Sequence, residues 1–116
     1  MERKRNQITW SPAAQRDLID IWQYFARVVS PESADKLLDE IQVTLNRLIR
    51  DPRMYRVRRD LMPDLRGGLR SAPVHPYAIF YRIDHDSPGE RMDVQVIRVL
   101  HQQRDLPTVL SNDDST

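Results

Sequence analysis

No cysteine occurs in the 116 residues, so neither a disulfide framework nor a thiolate zinc site is available, and a reducing cytoplasm is the expected setting. Long apolar runs are missing too. Nothing approaches the roughly 20 apolar residues that cross a bilayer. The opening MERKRNQITW lacks the apolar centre of a signal peptide, so no membrane partner is expected. The three histidines are scattered and no carboxylates cluster, which leaves no metal-ligating set and calls for no cofactor. Lysine is scarce as well, with only Lys4 and Lys36, so nearly all the positive charge is arginine. The planar guanidinium fork suits carboxylate and phosphate contacts better than a lysine point charge does.

What is present makes a single domain, since a chain of this length buries roughly two-thirds of its unfolded surface and has no room for a second core. The net charge of +1 hides an uneven distribution. Between residues 50 and 70, seven arginines stand against Asp51, Asp60 and Asp64, whereas residues 11–49 are net negative by two. An acidic or nucleic-acid-associated partner fits such a segment, and a solvated arginine-rich loop is the plainer alternative.

The stretch 68–105 organises the chain. Residues 77–83 and 92–100 are rich in β-branched and aromatic side chains, and residues 84–90 collect turn formers, which predicts an antiparallel hairpin. With a period of two, Tyr77, Ile79, Tyr81 and Ile83 share one face and Ala78, Phe80 and Arg82 the other. In the second run Val94 and Val96 share a face while Ile97 and Val99 lie opposite, so this strand is expected to be covered on both sides. Arg98, His101, Gln102, Gln103, Arg104 and Asp105 gather at its end, where sheets commonly present functional side chains.

Ahead of this region, residues 1–7 form a basic arm expected to fray, and residues 8–10 a short strand. Ser11-Pro12 and Ser30-Pro31 each read as an N-cap followed by proline in the first turn. The apolar stripes that follow, Ala14, Leu18, Ile21, Trp22, Phe25, Val28 and Val29, then Ala34, Leu37, Leu38, Ile41, Leu45, Leu48 and Ile49, have the 3.6-residue period. Arg16, Asp17, Asp20 and Arg27 mostly take the outer face of the first helix. The second must stop near Asp51, ahead of Pro52. Two such helices with almost no loop between them form an αα-hairpin whose stripes need the sheet as cover. Residues 53–67 read as a loop carrying the arginines, residues 69–74 as a strand confined to an edge by Pro73 and Pro76, and residues 107–116 as a disordered acidic tail. The expected fold is therefore α+β, a small antiparallel-dominated sheet against an N-terminal αα-hairpin, in the order β-α-α-β-β-β within residues 1–106.

That order, with LRSAPVHPYAIFYRI and VIRVLHQQRD, resembles the RelE/ParE superfamily of bacterial type II toxin-antitoxin toxins over residues 8 to about 106, and its ParE branch most of all. The specific features are Arg70 opening the second strand, the Tyr77, Ile79, Tyr81 alternation, and Arg98 to His101 near the end; Gln102 stands where many relatives carry glycine. The resemblance implies a small toxin neutralised by a cognate antitoxin that wraps its C-terminal segment around it. ParE-type toxins poison DNA gyrase, whereas RelE-type toxins cut messenger RNA in the ribosomal A site, and fold alone does not choose between them. RNA cleavage needs a general base, a general acid and a cation on the phosphorane. No tyrosine follows Tyr81, so His101 with Arg98 and Arg104 is the only candidate catalytic set near the end of the chain. The reading preferred from the sequence is a non-enzymatic gyrase poison in which Arg98, His101 and Arg104 contact gyrase or its bound DNA, and Arg56, Arg58, Arg59 and Arg70 contact the antitoxin. The endoribonuclease is the alternative, and a non-toxic relic that still binds antitoxin is a third. Each residue also has a structural reading: Trp22 and Phe25 as core, Tyr77 and Tyr81 packed under the helices with their hydroxyls paired, Arg70 and Arg98 in salt bridges with Asp93 or Asp105, and His101 bonded to backbone.

Overall fold

A computed structural model describes residues 6–84, 91–103 and 106–111. The elements are β1 (Ile8–Trp10), α1 (Pro12–Val28), α2 (Pro31–Arg50), β2 (Arg70–Val74), β3 (Tyr77–Asp84), β4 (Asp93–His101) and α3 (Leu106–Ser111). The sheet order is β1-β4-β3-β2, with β1 parallel to β4 and the other pairs antiparallel. The first six elements follow the expected order, and β2 lies at an edge.

Both serine caps form. Ser11 Oγ accepts from the Ala14 amide at 3.0 Å and Ser30 Oγ from the Ser33 amide at 3.0 Å, each satisfying an N–H that the first turn leaves without a helical partner. α2 ends at Asp51, whose extended φ of −144° is what a following proline imposes. Ala34, Leu37, Ile41, Leu45 and Leu48 are buried, and the buried Thr44 hydroxyl donates to the Glu40 carbonyl at 3.1 Å. The stripe of α1 is less completely used. Ala14 and Ile21 are buried, Leu18, Trp22 and Phe25 are half-buried, but Val28 and Val29 are exposed. Trp22 is more than core, since its indole N–H donates to Asp35 Oδ1 at 2.9 Å and ties the two helices together.

Under the helices lie Ala72, Val74, Tyr77, Ile79, Tyr81, Ile83, Val94, Val96 and Val99. Val99 corrects the expected alternation. Phe80 pairs with Arg98 but Tyr81 with Val96, so Ile97 is an extra residue in β4, and this β-bulge brings Val99 back to the face of Val94 and Val96. Ile97 and Leu100 face the other way. That second face is covered, as expected of a strand apolar on both sides, and its cover overturns the disordered tail for residues 107–111. Ala78, Phe80 and Leu100 pack against Leu61 and Leu69 from the loop and against Leu106 and Leu110 from α3, so the one domain does hold a second, smaller core, contrary to the expectation of a single one. Residues 112–116 lie outside the described residues. Asn6, expected in the frayed arm, is instead held: its amide donates to the Ile49 carbonyl at 2.8 Å and its oxygen accepts from the Met92 amide at 2.8 Å, while residues 1–5 lie outside the described residues. No described helix is long and apolar enough to cross a membrane.

Gly67 and Gly68 both have φ of 81°, a region costly for residues with a Cβ. A Cβ at Gly68 would also lie 2.6 Å from a Val57 methyl, whereas at Gly67 it would meet only the Ile83 carbonyl at 3.6 Å. Gly67→Ala is therefore expected to cost about 1 kcal/mol and Gly68→Ala about 2–3 kcal/mol. Urea unfolding midpoints check this, and equal shifts in the two variants would show that Val57 gives way.

Candidate functional site

The end of β4 is arranged around one carboxylate. β1 accompanies β4 only through Val96, after which the chain turns into α1 and leaves the remaining edge of β4 without a strand. Side chains take over there. The Ser11 amide donates to the Val96 carbonyl at 2.9 Å, and Ser11 Oγ donates to the Ile97 carbonyl at 2.6 Å. Asp17 then accepts the Val99 amide at 2.9 Å and holds Arg98 in a two-point pair, Nε to Oδ2 at 2.7 Å and Nη2 to Oδ1 at 2.9 Å. Only 14% of the Arg98 side chain and 11% of that of Asp17 remain exposed, so the pair is largely covered, at the wall of a surface pocket that Arg16, Ile19 and Asp20 also line. Of the partners considered for Arg98, Asp93 instead pairs with Arg91 at 2.9 Å, and Asp105 lies outside the described residues. Asp17 lies 81 positions earlier, on a face read as solvent-directed, and no sequence pattern links the two.

His101 sits opposite Tyr77, and the rings meet edge to face with centroids 5.5 Å apart. Its Nδ1 accepts the Gln103 amide at 3.1 Å, the backbone role anticipated for it. The ring contacts continue from Tyr77 to Phe25 at 6.1 Å and from Phe25 to the exposed Tyr24 at 5.9 Å. Gln102, where glycine is common, closes the turn with its own amides: the backbone N–H donates to the Pro76 carbonyl and the side chain to the Tyr77 carbonyl, both at 2.9 Å. Arg104 lies outside the described residues. Arg98 and His101 thus end the same strand but share no open polar surface.

The arginine loop is braced from within. Arg70 donates to the carbonyls of Tyr55 and Arg53, the Arg58 amide donates to the Leu69 carbonyl at 2.6 Å, and Val57 pairs with Arg70 as an isolated antiparallel bridge. Arg58 grips Asp60 through two nitrogens, at 3.0 and 2.8 Å, and reaches Ser71 Oγ at 3.3 Å. The hydrogen bonds from Arg58 hold the Asp60 carboxyl below the usual range, and the same contact raises Arg58. Beneath the loop the Tyr81 hydroxyl donates to the Pro52 carbonyl at 2.8 Å, and burial pushes its pKa up to about 12, which keeps it a neutral donor. Of the four arginines expected to meet the antitoxin, Arg58 and Arg70 therefore hold the loop, while Arg56 and Arg59 are exposed.

A third feature lies beside the helical hairpin at the edge of the sheet, where the edge-strand candidate 69–74 is the expected place for an antitoxin segment. Lys36, Asp39, Glu40, Val43, Thr44 and Arg47 of α2, with Pro73 and Val74 of β2, line a groove of about 370 Å³ that sets three apolar side chains among charges of both signs. The adjoining edge of β2 is blunted, because Val57 and Arg58 pair with its start and Pro73 supplies no N–H.

Comparison with known proteins places these features in a family. Residues 8–106 match the family described as ParE toxin of type II toxin-antitoxin system, parDE. The chain is 30% identical over 96 residues to Toxin ParE1 of Mycobacterium tuberculosis, covering 83% of this chain and 89% of that protein. Among solved structures it resembles a chain of the chromosomal ParDE system of P. aeruginosa, with a TM-score of 0.64 at 18% identity over 84% of this chain and 96% of that one. It also resembles a chain of the RelBE2 toxin-antitoxin complex of Mycobacterium tuberculosis, with a TM-score of 0.53 at 24% identity over 85% and 100%. At these identities the two structural likenesses speak for the fold alone. The match along nearly the whole chain and the curated relative carry the assignment: this chain belongs to the ParE toxin family of type II toxin-antitoxin systems.

Proposed function

We infer that this toxin arrests growth by binding DNA gyrase and that a cognate antitoxin neutralises it by laying an amphipathic segment into the groove between α2 and β2. The gyrase target rests on the ParE-type resemblance. The observation that favours binding over RNA cleavage is the employment of the candidate catalytic set. Arg98, the proposed phosphate cation, is committed to Asp17, and His101, the proposed base, already uses Nδ1 to accept a backbone N–H. Cleavage by 2′-hydroxyl attack asks instead for an acid, a base and a cation converging on one open point. The groove suits the antitoxin because Val43, Pro73 and Val74 supply apolar contacts while Lys36, Arg47, Asp39 and Glu40 can match charges of either sign. The match to a family of type II toxin-antitoxin toxins adds weight to an antitoxin partner.

Inducing the chain alone and recording growth, DNA-damage response and transcript integrity separates the readings. DNA damage with intact transcripts is expected; cleaved transcripts would move the target to the ribosome, and normal growth would mark a relic. His101→Gln sharpens the test. Its amide oxygen can replace Nδ1 as acceptor, so toxicity should survive, whereas loss of a general acid or base costs about 100-fold or more.

A further inference from the structure

Arg50, Arg53, Arg56 and Arg59 recur at every third position from the last residue of α2 through the loop, and all four are exposed, as is Arg66. The backbone that carries them is fastened at several points. Tyr81 holds Pro52, Arg70 holds Arg53 and Tyr55, the Val57–Arg70 bridge and the Arg58 amide hold the loop to the start of β2, and Leu61 is buried in the second core. The exposed Arg50, Arg56 and Arg59 are thus carried by a formed surface, which lowers the ordering cost of binding.

The chemistry of the surface tells which partner it fits. Its apolar residues point inward: Pro52, Leu61 and Leu69 are buried, Tyr55 packs against the main core, and Met54 is the one exposed large hydrophobic among the described residues 51–69. A protein partner would look for desolvated apolar anchors at the centre of its contact, which the α2–β2 groove has and this loop lacks. Single-stranded nucleic acid would look for exposed rings on which bases stack, and Tyr55 is turned away. A duplex phosphate backbone asks for spaced arginines and little else.

We propose that the arginine loop binds the phosphate backbone of double-stranded DNA, so that the toxin carries a DNA contact of its own, separate from its antitoxin groove. The assignment reallocates Arg56 and Arg59 from antitoxin to DNA and leaves Arg58 and Arg70 as positioning residues. It does not depend on gyrase, since the duplex alone is the ligand.

Fluorescence anisotropy of the full chain with a short labelled duplex of random sequence tests it. Affinity is expected in the non-specific range of roughly 1–100 μM, falling steeply with added salt. The double charge reversal Arg56→Glu/Arg59→Glu, at two exposed positions, should weaken duplex binding by about tenfold or more and lower the salt slope by about 2. The same variant should bind antitoxin as before, while Val43→Glu in the groove should lose antitoxin and keep DNA. Arg16→Glu/Arg27→Glu on α1 makes the same change in net charge away from the loop and should retain most of the affinity. Equal losses in the two double variants would reduce the effect to net charge and overturn the proposal. So would equal binding of single strands or of polyglutamate, or antitoxin binding lost together with DNA in the loop variant.

Discussion

Asp17→Ala is expected to destabilise the fold by about 3–5 kcal/mol, the scale for removing one partner of a buried ion pair. Two groups each lose an acceptor at once, the Arg98 guanidinium and the Val99 amide, at a site that leaves little of either charged side chain exposed. A domain of this size has about 5–15 kcal/mol in total, so the variant should unfold far more readily, with a melting temperature lower by roughly 10–20 °C. Asp17→Asn keeps an oxygen for the Val99 amide and should fall between the two. The apolar pair Asp17→Leu/Arg98→Met should be milder than Asp17→Ala, because it leaves no uncompensated charge, although the Val99 amide still goes unmet. Thermal and urea unfolding of the four proteins would read this order. An Asp17→Ala shift below about 1 kcal/mol would mean that water replaces the carboxylate and that the pair is a surface contact after all. Should the variant stay folded yet lose toxicity, Arg98 would return to the list of target contacts.

Leu110→Ala carries the second large effect. Leu110 is 1% exposed and closes the second core over Phe80 and Leu100. Truncating it leaves a cavity in a layer that α3 and the loop alone provide, a change that costs about 2–5 kcal/mol when its surroundings do not collapse. Val109, only half-buried, should be more tolerant of the same truncation. The measurement is the global urea midpoint. If α3 merely rests on the sheet and frays on its own, the midpoint would not move and only local hydrogen exchange near the end of the chain would rise. A full shift would show that the second core is part of the cooperative unit.

Much of the architecture was legible because it depends on neighbours in sequence. The caps at Ser11 and Ser30, the stop before Pro52, the stripe of α2 and the inward face of β3 follow from local geometry and from periods of 3.6 and two, and the structure has each of them. The antiparallel hairpin followed from residues within one stretch of chain, and the family resemblance from the order of the elements together with two motifs in that stretch. Tyr77 and Tyr81 packed under the helices as expected for the same reason.

Three things depended on groups brought together from far apart, and there the residue pattern was silent. A period of two cannot announce the extra residue at Ile97, so Val99 changed faces, and with it came the geometry that sets the Val99 amide against Asp17. A short run of leucine and valine between polar residues has too little periodicity to declare a helix, and α3 exists because Phe80 and Leu100 leave an apolar face that needs cover. The arginines look alike in one dimension. Residue type determined their charge and their taste for phosphate or carboxylate, but whether each faces solvent, as Arg56 and Arg59 do, or spends hydrogen bonds on the chain's own groups, as Arg58, Arg70 and Arg98 do, was decided by which acceptors the fold placed within about 3 Å of it.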